Sequence, residues 1–143
     1  MDKLLSGQVS HQLDQKNRIR IPSKYKNAFP EGETIFFVHY NNDCLFIMPD
    51  SSLQRRLARY SEVNTSDKKL LDAKRTVMRR IYPIEEDTQG RTVLSQSLRT
   101  TFGIVKDVVT IGMGDYLELW ARERLEAEDE AMPSEEAFRI LGF

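Results

Sequence analysis

Asp14-Gln15-Lys16-Asn17-Arg18-Ile19-Arg20-Ile21-Pro22-Ser23-Lys24-Tyr25-Lys26 returns 73 residues later as Asp87-Thr88-Gln89-Gly90-Arg91-Thr92-Val93-Leu94-Ser95-Gln96-Ser97-Leu98-Arg99. At the same offset the apolar run Ile35-Phe36-Phe37-Val38 meets Val108-Val109-Thr110-Ile111. After a one-residue slip, Leu45-Phe46-Ile47-Met48 meets Leu117-Glu118-Leu119-Trp120. Agreement in this order marks a tandem repeat, which is the first thing to settle about a chain because it decides the architecture.

Each copy reads as strand, tight turn, strand, short helix and two further strands. Gln8–Leu13 and Arg18–Ile21 alternate polar and apolar residues, the period of a half-buried strand. Asn17 and Gly90 occupy one slot, and both residue types tolerate the left-handed backbone that a hairpin turn requires. Asp14 and Asp87 open the two turns, where a carboxylate can accept backbone N–H bonds. Pro22 and Ser23 open a short helix over Lys24–Phe29 with Ser23 as cap; Ser95 leads its counterpart, which ends near Phe102 with Gly103 as C-cap. Asn41-Asn42-Asp43 and Gly112-Met113-Gly114-Asp115 are turn clusters before the last strand of each copy.

Between the copies, Asp50 or Ser51 caps a helix carrying Leu53, Leu57 and Tyr60 on one face. Ser66 starts another, with Leu70, Val77, Met78 and Ile81 largely on one side and Pro83 as its stop. The expected organisation is a first module over residues 5–49, connecting helices over 50–82, a second module over 83–121, and an acidic helix and tail over 122–143. The fold class this gives is α+β and β-dominated.

Of 143 residues, 40% are hydrophobic and 30% charged, a globular composition that excludes wholesale disorder. No run approaches membrane-span length, and the first residues lack the apolar core of a secretory signal, so a cytoplasmic protein is expected. Cys44 has no second cysteine to pair with, and with His11 and His39 it makes a poor zinc set; no metal or cofactor is expected. The net charge of -1 hides 15 Lys/Arg against 9 Asp/Glu in residues 1–82 and 6 against 13 in residues 83–143. A basic front is compatible with a polyanion partner, but charge alone favours solvated faces of unlike sign.

Ile19 and Ile21 need a core, which sends Arg18 and Arg20 to the outer face of the strand, with Lys16 in the turn before them. Arg91 repeats Arg18, whereas Arg20 has no cationic twin because Thr92 and Val93 follow Arg91. Lys26 and Arg99 match at the end of the short helix, within reach of a phosphate. Two or three cations make a weak footprint for DNA, but copies assembled side by side multiply the phosphate contacts. A β-ribbon is narrow enough for the major groove, where Arg pairs with guanine O6 and N7. The competing readings of Arg18 are an exposed arginine without a task and a partner that pairs with Asp14 to hold the turn.

The Asp-x-x-x-Arg element in both copies, Ile-Pro-Ser-Lys-Tyr-Lys after the first (21–26) and Gly-Arg-Thr-Val-Leu in the second (90–94) resemble the MraZ family, bacterial proteins built from two AbrB-like (SpoVT-AbrB) modules in one chain. The resemblance spans roughly residues 5–125 and includes Leu117-Glu118-Leu119-Trp120. It implies two swapped-hairpin modules in a pseudo-symmetric barrel with flanking helices, a ring-shaped homo-oligomer, and a nucleoid-associated protein that binds promoter repeats in double-stranded DNA and represses the division and cell-wall gene cluster. The family's hairpin arginine carries over to Arg18 and Arg91. The basic residue ending the first helix of related modules carries over to Lys26 and Arg99. Asn17 replaces the usual Gly, Ser95 the usual Pro, and Thr92 sits in the second strand, so the second module is expected to meet DNA less closely or differently.

Other features are read as structural. Glu85-Glu86-Asp87 could in principle perform acid–base chemistry or hold magnesium, but it sits at a strand edge and turn. His11 is a surface or packing residue and Cys44 a core one. The basic series Lys68, Lys69, Lys74, Arg75, Arg79 and Arg80 is a solvated helix flank, and Glu123–Glu130 should face away from a duplex. Leu141 and Phe143 either dock on a neighbour or move freely. The reading is a DNA-binding transcriptional regulator, not an enzyme, with no membrane and no small-molecule substrate. The alternatives are an oligomeric scaffold or antitoxin-like protein-binding module, and a hydrolase using the 85–87 carboxylates.

Overall fold

The computed structural model describes residues 3–60, 66–129 and 131–143. Its strands are β1 (Gln8–Gln12), β2 (Arg18–Arg20), β3 (Ile35–Val38), β4 (Leu45–Pro49), β5 (Ile81–Pro83), β6 (Arg91–Val93), β7 (Asp107–Gly112) and β8 (Leu117–Ala121). The helices are α1 (Ser23–Lys26), α2 (Asp50–Leu57), α3 (Lys68–Met78), α4 (Gln96–Phe102), α5 (Arg122–Asp129) and α6 (Ser134–Ile140), with a 3-10 turn at Ala58–Tyr60. The chain is mixed α and β, and all its strand pairs are antiparallel.

The two strands flanking each Asp turn were expected as a hairpin, yet they do not form a ladder with each other. β1 pairs with β7, and β5, its counterpart in the second copy, pairs with β3. β2 pairs with β6, and β4 with β8. The six-stranded sheet therefore runs β1-β7-β8-β4-β3-β5, and β2-β6 forms a separate two-stranded ribbon. A pseudo-two-fold axis passes between Phe46 and Glu118 in the sheet and between Ile19 and Thr92 in the ribbon. The expected barrel is not closed: β1 and β5 are edges of an open sheet. The ribbon instead lies over one sheet face as a second layer.

That layer holds the core. Ile19 and Ile21 around the ribbon, with Tyr25, Phe29, Leu94 and Phe102 at the short helices, bury against Phe37, Leu45, Ile47, Val108, Leu117 and Leu119 of the sheet. Each such side chain taken out of water contributes on the order of 1.5–3 kcal/mol before entropy is counted. The opposite sheet face carries a smaller cluster of Cys44, Val109, Trp120 and Leu125.

Several expected element ends shift. Ser23 is the first residue of α1, and Pro22 caps it without a side-chain bond; Phe29 lies beyond the helix end at Lys26. Pro49 precedes α2, so neither Asp50 nor Ser51 caps it, and Ser51 is held by Glu33 instead, Oγ donating to Oε2 at 2.9 Å. Asp67, not Ser66, caps α3 by accepting from the Lys69 and Leu70 amides. Ile81 leaves the helix for β5, because the outer edge of β3 offers backbone partners that outweigh its helical spacing. Ser95 and Gly103 cap α4 as expected, the Ser95 side chain accepting from Leu98 and Gly103 adopting φ 68°. Leu53 is buried and Leu57 half-buried, while the Tyr60 side chain and Glu130 lie outside the described residues.

Gly112, expected in a turn, ends β7, where its N–H donates to the Gly7 carbonyl at 2.9 Å. A Cβ there would stand 2.5 Å from the Leu5 carbonyl carbon and closer still to the Ser6 amide nitrogen. Gly112→Ala is expected to push the N-terminal segment off β7 and lower unfolding stability by about 1–3 kcal/mol, read from the denaturant midpoint; an unchanged midpoint would show that this close approach does not exist.

Candidate nucleic-acid interface

The two Asp turns are built alike. Asp14 Oδ1 accepts from the amides of Lys16 (2.8 Å) and Arg18 (3.0 Å), and Oδ2 accepts from Arg18 Nε at 2.7 Å. Asp87 Oδ1 accepts from the amides of Gln89 (2.9 Å) and Arg91 (2.9 Å), and Oδ2 from Arg91 Nε at 2.8 Å. The backbone repeats as well: Asn17 donates to Asp14 O at 3.1 Å and Gly90 to Asp87 O at 3.0 Å. Asn17 has φ 59° and Gly90 φ 75°, the left-handed conformation their shared slot demands. Different residues thus form one loop, because the carboxylate, the left-handed residue and the arginine are the parts that determine it.

The ribbon register brings the arginines together. Arg20 stands opposite Arg91, Ile19 opposite Thr92 and Arg18 opposite Val93. Opposed residues share a face, so Ile19 and Thr92 turn inward and are buried, while Arg18, Arg20, Arg91 and Val93 form the outer face. Arg18 Nη1 also lies 3.9 Å from Asp87 Oδ2, so one carboxylate serves both loops. The Arg18 and Arg91 side chains keep 21% and 25% of their exposure. Arg20 and Lys16 are exposed. Among the described residues, neither Nη of Arg91 nor Nη2 of Arg18 has a hydrogen-bond partner. Each Asp therefore holds its arginine at Nε, and Asp87 also stands near Nη1 of Arg18.

Lys26 and Arg99 fall elsewhere. Lys26 forms an ion pair with Glu86, and Arg99 Nε donates to the Leu94 carbonyl at 3.0 Å, tying α4 to the strand before it. These bonds also account for most of the carboxylate cluster, Glu86 holding Lys26 and Asp87 holding Arg91. Val93, the residue that leaves Arg20 without a cationic twin, completes the outer face of the ribbon. It fills the place that pseudo-symmetry gives to Arg20 and is 62% exposed among three arginines. The offset between copies gave its slot, and the register adds that it stands opposite Arg18.

Other candidates are in structural roles. His11 Nε2 lies 2.7 Å from Thr110 Oγ1 in the β1–β7 ladder, and burial lowers its pKa. Cys44 is buried, which pushes its thiol pKa up, with Glu118 adding to the effect. Lys68 and Arg75 pair with Asp72 on α3. Among the described residues no cluster of His, Cys, Asp or Glu could hold a metal, and no helix is long and apolar enough to cross a membrane.

The amide of Arg18 donating to Asp14, with its guanidinium and the Lys16 amide adding to it, holds that carboxyl below the ordinary value of 3.8; Arg91 does the same for Asp87. A carboxyl depressed on folding supports stability above its unfolded pKa, and this support is lost as pH falls through the folded one. Carboxyl carbon NMR titration is expected to place both midpoints below 3.8, and Arg18→Ala to raise that of Asp14. A midpoint at or above the ordinary value would mean that the loop is not closed in solution.

The family described as "MraZ protein, putative antitoxin-like" matches residues 4–76 and again 78–139. A protein of Mycoplasmopsis pulmonis named transcriptional regulator MraZ is 29% identical over 136 residues, covering 95% of this chain and 91% of that protein. One of Leuconostoc citreum with the same name is 31% identical over 120 residues, covering 84% of this chain and 82% of its own length. One of Thermomicrobium roseum is 29% identical over 129 residues, covering 90% and 89%. Two successive family matches repeat the internal symmetry of the sheet and ribbon. The chain belongs to the MraZ family.

Proposed function

We infer that this chain is a sequence-specific DNA-binding regulator of transcription, acting as a repressor of the division and cell-wall gene cluster through promoter repeats. The reading is supported by the relatives named transcriptional regulator. The observation that carries it is the ribbon, whose outer face bears Arg18, Arg20 and Arg91 with two of them gripped at Nε. An arginine fixed at Nε presents Nη1 and Nη2 as a fork, and that fork matches the O6 and N7 acceptors of guanine in the major groove. The carboxylates that hold the arginines also lower their conformational freedom beforehand, so less entropy is lost on binding.

One ribbon binds weakly. Lys16, Arg18, Arg20 and Arg91 outnumber Asp14 and Asp87 by two charges. Each phosphate neutralised steepens the salt dependence by about 0.9 in log–log slope. A swapped-hairpin module placed repeatedly around a ring-shaped homo-oligomer sums these small terms along repeated sites. Lys26 and Arg99 belong to the same reading as flanking phosphate contacts: Lys26 would exchange Glu86 for phosphate, whereas Arg99 would reach it with the Nη groups not used on Leu94. The protein would then act in the cytoplasm, on the nucleoid.

A second reading, an antitoxin-like module that binds a protein partner, takes its support from the family description. Fluorescence anisotropy on DNA from the chain's own upstream region separates the two. The regulator reading predicts salt-sensitive binding that a scrambled duplex does not compete for, and a loss of tenfold or more for Arg18→Ala or Arg91→Ala with assembly size unchanged. Arg18→Lys is expected to keep general affinity and lose sequence preference, because an ammonium lacks the fork. Wild-type affinity in the doubly substituted Arg18→Ala, Arg91→Ala protein would remove both arginines from the account.

A further inference from the structure

The sheet face turned away from the ribbon is covered unevenly. Over β7 and β8, Leu125 of α5 closes on Val109 and Trp120. Beneath α2 and α3 lies an open cleft of about 830 Å3, with Val38, Phe46 and Tyr116 along its floor and Val77 on its wall. α3 is amphipathic, yet none of its residues is buried, and Leu70 and Met78 are 43% and 47% exposed. The rim carries Arg59 and Arg80, and beside them Arg56, which Asp115 holds with two bonds of 2.9 Å.

The other end of the chain has the complementary chemistry. Phe138, Ile140, Leu141 and Phe143 are 55%, 62%, 84% and 97% exposed, and none belongs to either core cluster. Phe138 and Phe143 turn toward each other, ring centroids 5.0 Å apart. Glu135 and Glu136 lie in the first turn of α6. Four large apolar side chains in six residues are more than the scattered surface hydrophobics of an ordinary monomer.

We propose that the cleft beneath α2 and α3 receives the Phe138–Phe143 segment of a second copy of this chain. Among the described residues, none fills the cleft and none covers the tail, which is the condition expected when each awaits the other from a different molecule. Glu135 and Glu136 would meet Arg59 and Arg80 at the rim while the phenylalanines cover the floor. Donor and acceptor are different surfaces, so the contact is heterologous and generates a ring where the rotation closes. The inference rests on the assembly part of the reading above and names the contact that builds it.

The test places one cysteine on each side in the full-length chain, Val77→Cys with Leu141→Cys. Cys44 is 1% exposed, so it stays out of the reaction. Under mild oxidation a ladder of covalent multimers is expected on a non-reducing gel. An internal disulfide in a monomeric band, or free thiols throughout, would overturn the proposal. In parallel, Phe138→Glu with Leu141→Glu is expected to reduce the assembly size while leaving the far-UV circular dichroism of the folded chain unchanged. An intact assembly without crosslinks would disprove this contact and leave the assembly reading standing; a native chain that sediments as a monomer would remove both.

Discussion

Neither repeat can complete its own sheet. β3 needs β5 from the second copy on its outer side, β7 needs β1 from the first, and β2 has no partner except β6. Backbone groups of a strand must be paired somewhere, and here each copy satisfies them with the other. That exchange sets the placement of the candidate arginines. It forces the two Asp turns to the two ends of one short ribbon, and it sets Arg20 against Arg91 and Arg18 against Val93. Separate modules would present two arginines and one; the interlocked pair gathers all three on one face.

The turn itself shows how few residues define a local structure. Asp14 and Asp87 make the same set of bonds, although only the first and last residues of the two five-residue loops are identical. The carboxylate compensates the turn amides and aims the guanidinium at once, so a structural bond and an orienting bond are the same bond. Holding the turn occupies Nε of each arginine, and in Arg18 it also brings Nη1 near Asp87.

Period-two alternation and the offset between copies were legible because they are local or self-referential: Ile19 and Ile21 were readable as core, and Asn17 and Gly90 as one slot. Pairing was not legible, since alternation says which face a strand buries and nothing about its neighbour. Hence β1 beside β7 and an open sheet in place of a closed barrel came only from the structure, as did the pairing of Val93 with Arg18. Ile81 was misread for a related reason, its helical spacing within 70–81 being overridden by the unpaired edge of β3. Lys26 and Glu86 lie far apart in sequence, and their ion pair could not be anticipated from either segment.

The central claim is that duplex DNA is met by the outer face of the ribbon. Hydrogen–deuterium exchange with and without the upstream duplex tests it most directly. Protection is predicted for the amides of 15–20 and 88–93 and not with a scrambled duplex, with the solvated flank of α3 unchanged. Protection confined to α3, or none at the ribbon while DNA is bound, would contradict the account.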